Sequence, residues 1–286
     1  MNMMIEPNLL QPGDTVAVTA ASGICDRGKL AAGVEVLKNL GLNVQVMESC
    51  NARHDNYLAG DVQLRLQNLH DAFADTNVKG IFMARGGYGA AQLLPFINFS
   101  MVAKNPKIFV GFSDVTALHI AFGKFCGFVT FHGPMVASCF GGLDAVSLES
   151  LRNAVFANEN FSFGKVETLF PGHVRGRLVG GNLTVIASLL GTAYEIETAG
   201  HVLFLEDIGE EPYRVDRLLL QLKLAGKLRD AAGFVFGDFS PCTLDELRTA
   251  LDEYILPLKK PTIWGAQCGH CKPNLTLPLG RKLENI

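Results

Sequence analysis

Lys107-Ile108-Phe109-Val110-Gly111-Phe112-Ser113-Asp114-Val115-Thr116-Ala117-Leu118-His119-Ile120-Ala121-Phe122 is the stretch that decides the fold class. Lys107 to Gly111 is a short apolar run with no polar alternation, and Asp114 to Phe122 continues as a helix, so strand passes to helix at Ser113. A strand that is apolar throughout is covered on both faces, as in a parallel sheet. The same order repeats outward. Toward the N-terminus, Thr15 to Ala20 reads as a strand, and Arg27 to Leu40 carries Leu30, Val34 and Leu37 at helical spacing before Gly41. Asn43 to Met47 is a second strand, Asp61 to Ala74 a helix, Gly80 to Ala84 a third strand, and a helix is expected after Gly89. Toward the C-terminus, strands at His201 to Leu205, Gly233 to Gly237 and Thr262 to Gly265 alternate with helices at Pro212 to Ala225 and after the capping-box pair Thr243 and Glu246. The pattern predicts an α/β protein with a mostly parallel sheet.

With 286 residues, two domains are expected. Between Asn158 and Gly181 the chain becomes rich in Phe, Gly and isolated charges without helical period, which suggests a junction over 158–181 between domains at 1–157 and 182–286. A net charge of −3 offers no footprint for nucleic acid or anionic lipid, so the expected partner is a small molecule or peptide. The start of the chain lacks a basic segment followed by an apolar one, and no apolar run approaches the roughly 18 residues of a spanning helix, so a cytoplasmic protein with no membrane partner is expected. The 7 cysteines are scattered and odd in number, in keeping with a reducing compartment. Cys268-Gly269-His270-Cys271 is incomplete as a zinc site and badly placed for a thioredoxin-like redox pair, so neither metal nor cofactor is expected.

Open α/β sheets carry their chemistry just beyond the carboxyl ends of strands. Three such places stand out. Arg85-Gly86-Gly87-Tyr88-Gly89 lets the backbone turn sharply and bring N–H groups to a ligand, or is simply a flexible connection. Ser113 stands where a nucleophilic serine is exposed between strand and helix, although Val115 replaces the second glycine of GxSxG and an ordinary N-cap is the alternative. His270 lies in a turn between Gly269 and Pro273, as suits a general base, while Glu206 ends a strand and opens the acidic run to Glu211. Glu210 and Glu211 are equally explained by the positive end of the helix starting at Pro212. Serine, acid and histidine thus follow three separate strands, and a triad needs only that they converge.

Seven segments in order resemble the LD-carboxypeptidase family of serine peptidases, which includes the microcin C immunity peptidase. They are Gly13 to Val18, Ala84 to Gly89, Gly111 to Asp114, Phe131 to Pro134, Leu178 to Leu183, Leu205 to Asp207 with Pro212 to Arg217, and Gly269-His270 with Leu277 to Gly280. The resemblance implies an N-terminal parallel-sheet α/β domain that supplies the nucleophile and a smaller C-terminal α/β domain that supplies acid and base. It implies Ser113 as nucleophile, Glu206 as triad acid, His270 as base, and an oxyanion hole from the backbone N–H of Asp114 and that of Gly86 or Gly87. Arg85 is the candidate for holding the substrate's terminal carboxylate. The implied reaction is release of the terminal D-alanine from L,D-linked muropeptide tetrapeptides without a metal, by a homodimer. Cleavage of a peptidyl-nucleotide conjugate, or silent binding of cell-wall peptide, are the alternatives. Two departures are noted: the stretch from Glu206 to His270 is short for the family, with 238–244 compact, and Cys268 and Cys271 match no family pattern.

Overall fold

The computed structural model describes residues 4–157 and 161–283. Its strands are β1 (Thr15–Thr19), β2 (Asn43–Val46), β3 (Val78–Met83), β4 (Ile108–Gly111), β5 (Thr130–His132), β6 (Glu167–Phe170), β7 (Gly176–Asn182), β8 (Val202–Glu206), β9 (Gly233–Phe236), β10 (Thr262–Trp264), β11 (Leu277–Leu279) and β12 (Lys282–Leu283). They form two sheets of six, ordered β11-β5-β4-β3-β1-β2 and β12-β7-β8-β9-β10-β6. The first is parallel except for β11 against β5. The second is parallel from β7 to β10, with β12 and β6 running antiparallel at its edges. Two α/β domains, each with a mostly parallel sheet, are the class the sequence pattern implies.

Parallel strands need long crossovers, and helices supply them. These are α1 (Arg27–Asn39), α2 (Val62–Ala74), α3 (Phe99–Lys104), α4 (Thr116–Ala121), α5 (Ala145–Arg152), α6 (Leu183–Ser188), α7 (Pro212–Leu224), α8 (Lys227–Asp230) and α9 (Leu244–Tyr254). Side chains fix where several begin. Asp26 caps α1 through the N–H of Lys29, Asp61 caps α2 through that of Leu64, and Thr243 with Glu246 closes a capping box on α9. The expected helix after Gly89 is instead a run of 3-10 turns over Ala90–Phe96, because Pro95 has no N–H to give an α-helical ladder. No helix among the described residues is long and apolar enough to cross a membrane.

Strands β1, β3 and β4 of the first sheet split their apolar residues between two faces. Ala17, Ile81, Met83 and Phe109 enter one core, while Val16, Val18, Phe82, Ile108 and Val110 enter the other. The first of these cores continues into the second sheet through Leu203, Leu205, Phe234 and Phe236, so one apolar body lies between the sheets. Truncating a fully buried side chain in it, such as Phe109, is worth about 3–5 kcal/mol.

The stretch expected to be a junction contributes β6 and β7 to the second sheet; its residues 158–160 lie outside the described ones. After β10 the chain returns to the first sheet as β11. At Gly180 and Gly181, with φ of 139° and 138°, β7 lies close against its sheet neighbour β8 and against α4 beside the first sheet. A Cβ at Gly180 would lie 1.9 Å from the carbonyl oxygen of Phe204, and one at Gly181 would lie 2.4 Å from Thr116 Oγ1. Only glycine allows both that backbone and that contact.

Candidate active site

Ser113 occupies the turn between β4 and α4 with φ +62°, a left-handed conformation that strains any residue with a Cβ. Backbone strain of this kind, over-determined by its surroundings, clusters at reactive positions. Its surroundings are well fixed. The Asp114 carboxylate turns back from the helix and accepts from Ser22 Oγ at 2.6 Å and from the Ala90 N–H at 2.8 Å. Neither Ser113 nor Asp114 caps α4, so the ordinary capping alternative does not describe this turn. Burial pushes the Asp114 carboxyl up, against the bonds from Ser22 and Ala90 and the charge of Arg65.

Arg65 is wholly buried and donates to the carbonyls of Ala21 at 2.6 Å and Gly89 at 2.9 Å, with a further bond to Gln92 Oε1 at 2.6 Å. The Gly23 N–H donates to the Gly86 carbonyl at 3.2 Å. The glycine-rich turn is therefore pinned from three sides, not a slack connection. It lies directly against the serine: a Cβ built on Gly86 would be 3.0 Å from Ser113 Oγ. Gly87 has φ +114°, and its missing Cβ would meet Tyr57 Oη at 2.5 Å. Arg85 is exposed and donates through Nη1 to the Ile24 carbonyl at 2.6 Å.

The other half of the site comes from the second sheet. Glu206, the last residue of β8, is fully buried, and its Oε2 lies 2.8 Å from His270 Nδ1. Gly269 makes room for this bond, since a Cβ there would stand 2.5 Å from Glu206 Oε2. Burial alone would push the His270 imidazole down, yet the bond and charge of Glu206, helped by Asp207 and Asp238, raise it above the ordinary histidine value. Burial also raises Glu206, outweighing the bond from His270. A carboxylate at Nδ1 selects the tautomer protonated there and leaves Nε2 as an acceptor, the arrangement of a general base.

The two halves meet at Phe112. Its ring centroid is 4.8 Å from that of His270, so the residue before the serine packs on the imidazole. Beside them the Asn182 N–H donates to Thr116 Oγ1 at 3.0 Å, tying β7 to the helix that follows Ser113. The buried Asp207 accepts from Asn182 Nδ2 at 2.8 Å, from the Thr184 N–H at 2.9 Å and from Thr184 Oγ1 at 2.8 Å. Ser22 and Arg65 were not singled out by sequence, and no local pattern marks them, while Asn182 and Asp207 lie within two of the segments that carry the family resemblance but had no role assigned. A groove of about 590 Å³ opens beside this junction, lined among others by Phe112, Asp144, Ile208, His270 and Lys272. Of the two thiols flanking His270, Cys268 is buried and Cys271 donates to the Pro273 carbonyl at 3.1 Å.

Comparison with known proteins follows the same division. Residues 16–133 match the LD-carboxypeptidase N-terminal domain and residues 175–284 the LD-carboxypeptidase C-terminal domain. A probable murein peptide carboxypeptidase of Bacillus subtilis is 41% identical, over 97% of this chain and 90% of its own. The murein tetrapeptide carboxypeptidase of Pseudomonas aeruginosa is 32% identical, over 95% and 93%. Among solved structures, muramoyltetrapeptide carboxypeptidase from Oxalobacter formigenes superposes with a TM-score of 0.84 at 33% identity, covering 94% of this chain and 93% of that one. An MccF-like protein from Bacillus anthracis gives 0.88 at 25% identity, covering 97% and 94%. The chain, with both halves of the two-domain fold matched, belongs to the LD-carboxypeptidase family and is a serine-type carboxypeptidase.

Proposed function

We propose that the protein removes the terminal D-alanine from L,D-linked muropeptide tetrapeptides, without a metal, as a step in cell-wall recycling. The observation that carries the assignment is the Glu206–His270 bond of 2.8 Å, set against the strained serine turn through Phe112. The murein carboxypeptidases of B. subtilis and P. aeruginosa support the substrate class. Ser113 Oγ attacks the scissile carbonyl as His270 Nε2 takes its proton, and the tetrahedral oxyanion is received by the N–H of Asp114 and that of Gly86 or Gly87. Collapse breaks the C–N bond, His270 returns its proton to the departing amine, and D-alanine leaves. Water, activated by the same imidazole, then cleaves the acyl-serine ester. Glu206 holds the tautomer and stabilises the imidazolium formed in each half-reaction.

Arg85, next to Gly86 in the chain, is the proposed partner of the terminal carboxylate that an exopeptidase must recognise. In this reading 1–157 is the nucleophile domain, 182–286 carries the acid and base, and 158–181 joins them. A cytoplasmic homodimer completes the proposal. The test is release of free D-alanine from a muropeptide tetrapeptide by the wild type and by Ser113→Ala, with a chelator present throughout. Release by the wild type alone is expected. Release by both would remove Ser113 from its role, and cleavage of a peptidyl-nucleotide conjugate with the tetrapeptide left intact would move the protein to the activity of its microcin-immunity relatives.

A further inference from the structure

Strands β4, β3 and β1 are neighbours in the first sheet, and the loops beyond them carry Asp114, the 86–90 turn and Ser22 in that order. One carboxylate oxygen joins all three loops. Asp114 Oδ2 accepts from Ser22 Oγ at 2.6 Å and from the Ala90 N–H at 2.8 Å. The first bond has the length of a charge-assisted O–H···O⁻ contact. Ser22 is fully buried and Asp114 is 5% exposed, so both bonds lie out of the reach of bulk water. The loops beyond β1 and β3 are also tied directly to each other: the Gly23 N–H donates to the Gly86 carbonyl at 3.2 Å, and Arg65 bridges the carbonyls of Ala21 and Gly89. Those bonds leave the serine turn out, and it is Asp114 that couples it to them. The carboxylate makes both bonds outside its own helix, so capping of α4 does not account for it.

The residue that offers the first oxyanion N–H therefore anchors, through its side chain, the turn that offers the second. We propose that Asp114 is the positioning residue of the oxyanion hole: through Ser22 and Ala90 its side chain holds the two donor N–H groups, its own and that of Gly86 or Gly87, at the spacing the oxyanion requires. This role rests on the serine mechanism and the donors proposed above, and gives a task in it to two buried side chains, those of Asp114 and Ser22. Donors act at about 2.7–3.1 Å from the developing oxyanion. Two loops that drift apart would lose that fit although both N–H groups remain, and the bridge prevents that drift. Ala90 stands just past the glycines whose freedom to turn makes the hole possible, so a bond to its N–H fixes the turn at its far end.

The experiment compares D-alanine release from a muropeptide tetrapeptide with release from the same peptide carrying a thioamide at the scissile bond, whose sulfur is a poor hydrogen-bond acceptor. Asp114→Ala keeps the backbone N–H and removes the bridge. For the amide its kcat should fall about a hundredfold, with KM within about threefold of wild type. Ser22→Ala removes one of the two bonds and should cost about tenfold. Asp114→Asn keeps an acceptor oxygen on a side chain of the same size and should recover most of the loss. In each variant the amide-to-thioamide ratio of kcat/KM should shrink by about the same factor as the amide rate, because the thioamide draws little on the hole. A side chain that only supports the fold, or one that displaces Ser113, would slow both peptides alike. A ratio left at its wild-type value, or a wild-type kcat in Ser22→Ala, therefore overturns the assignment. Should Asp114→Ala fail to fold, Ser22→Ala carries the same comparison. If the wild type releases D-alanine from neither peptide, the muropeptide reading falls, and the bridge is judged on labelling of Ser113 by a fluorophosphonate, whose oxygen enters the same hole. Labelling slowed about tenfold in Ser22→Ala then sustains the bridge, and equal labelling overturns it.

Discussion

Gly86→Ala tests the site at its tightest point. The added Cβ would lie 3.0 Å from both Ser113 Cβ and Ser113 Oγ and 3.3 Å from Met135 Cε, where ordinary van der Waals contact begins at 3.4 Å. Gly86 has no positive φ, so alanine is not strained there by its own backbone. The cost must appear as displacement of the neighbours, about half an ångström, and the serine is held by a strained φ that leaves it little room to yield. A displacement of about 1 Å in a reacting group costs about a hundredfold in rate, and disturbing one oxyanion donor costs about 10²–10³-fold. The expected result is a fall of about a hundredfold in kcat for D-alanine release. The overpacking penalty on folding is about 1–3 kcal/mol, small enough to leave the protein folded. Steady-state release, thermal unfolding and the rate of labelling by a serine-directed phosphonate separate the two effects. Activity within about threefold of wild type, or a loss that merely tracks the folded fraction, would refute the placement of Gly86 against the nucleophile.

Two further outcomes follow from the buried ionisable groups. Glu206→Gln keeps the volume of the orienting side chain but removes its charge; kcat should fall by about 10⁴-fold. Because the bond and charge of Glu206 raise His270, the acidic limb of the pH–rate profile should also move to lower pH, and an unmoved limb would show that the profile reports another group. In the apolar core, burial drives His119 from 6.5 down to about 4, with the Gly111 carbonyl acting weakly the other way. Its folded value is depressed, so the unfolded chain binds the extra proton: its contribution is present above pH 6.5 and is lost as pH falls toward 4. On the order of 3 kcal/mol is at stake, readable as a drop in urea midpoint between pH 7 and pH 4.5, and a flat midpoint over that interval would contradict the buried neutral imidazole.

Local features were legible in the sequence because local chemistry writes them. Apolar runs gave β1 to β4 and β8 to β10, Asp61 and Thr243 mark the helix starts they cap, and Pro212 opens α7. Ser113, Glu206 and His270 stood out because each follows a strand closely. What joins them did not. Ser22 reaches Asp114 across 92 residues, and Arg65 reaches Ala21 across 44, so neither has a neighbour in sequence that betrays it. The positive φ of Ser113 was equally hidden, since nothing in Gly111-Phe112-Ser113-Asp114 distinguishes a strained turn from an ordinary cap. β11 was missed for a different reason: its three residues include Pro278, which weakens any strand signal even though an edge position tolerates it.

The placement of His270 explains why a site shared by two sheets can hold its geometry. The chain leaves the second sheet after β10, where the Ala266 N–H donates to the Phe236 carbonyl at 3.0 Å. It rejoins the first sheet where Leu277 pairs with His132. Between these anchors the segment is fastened to α5, since the Asn274 N–H donates to Ser147 Oγ at 2.8 Å and the Thr276 N–H to Ser150 Oγ at 3.0 Å. The base therefore rides on a strap fixed to both sheets, while its acid sits on β8 and the nucleophile follows β4. Any shift of one sheet against the other must strain the strap, the Thr116–Asn182 bond and the Phe112–His270 contact at once. Three such ties, with an apolar core running beneath them, preorganise the serine and the imidazole before substrate arrives, and so spare the reaction the cost of assembling them.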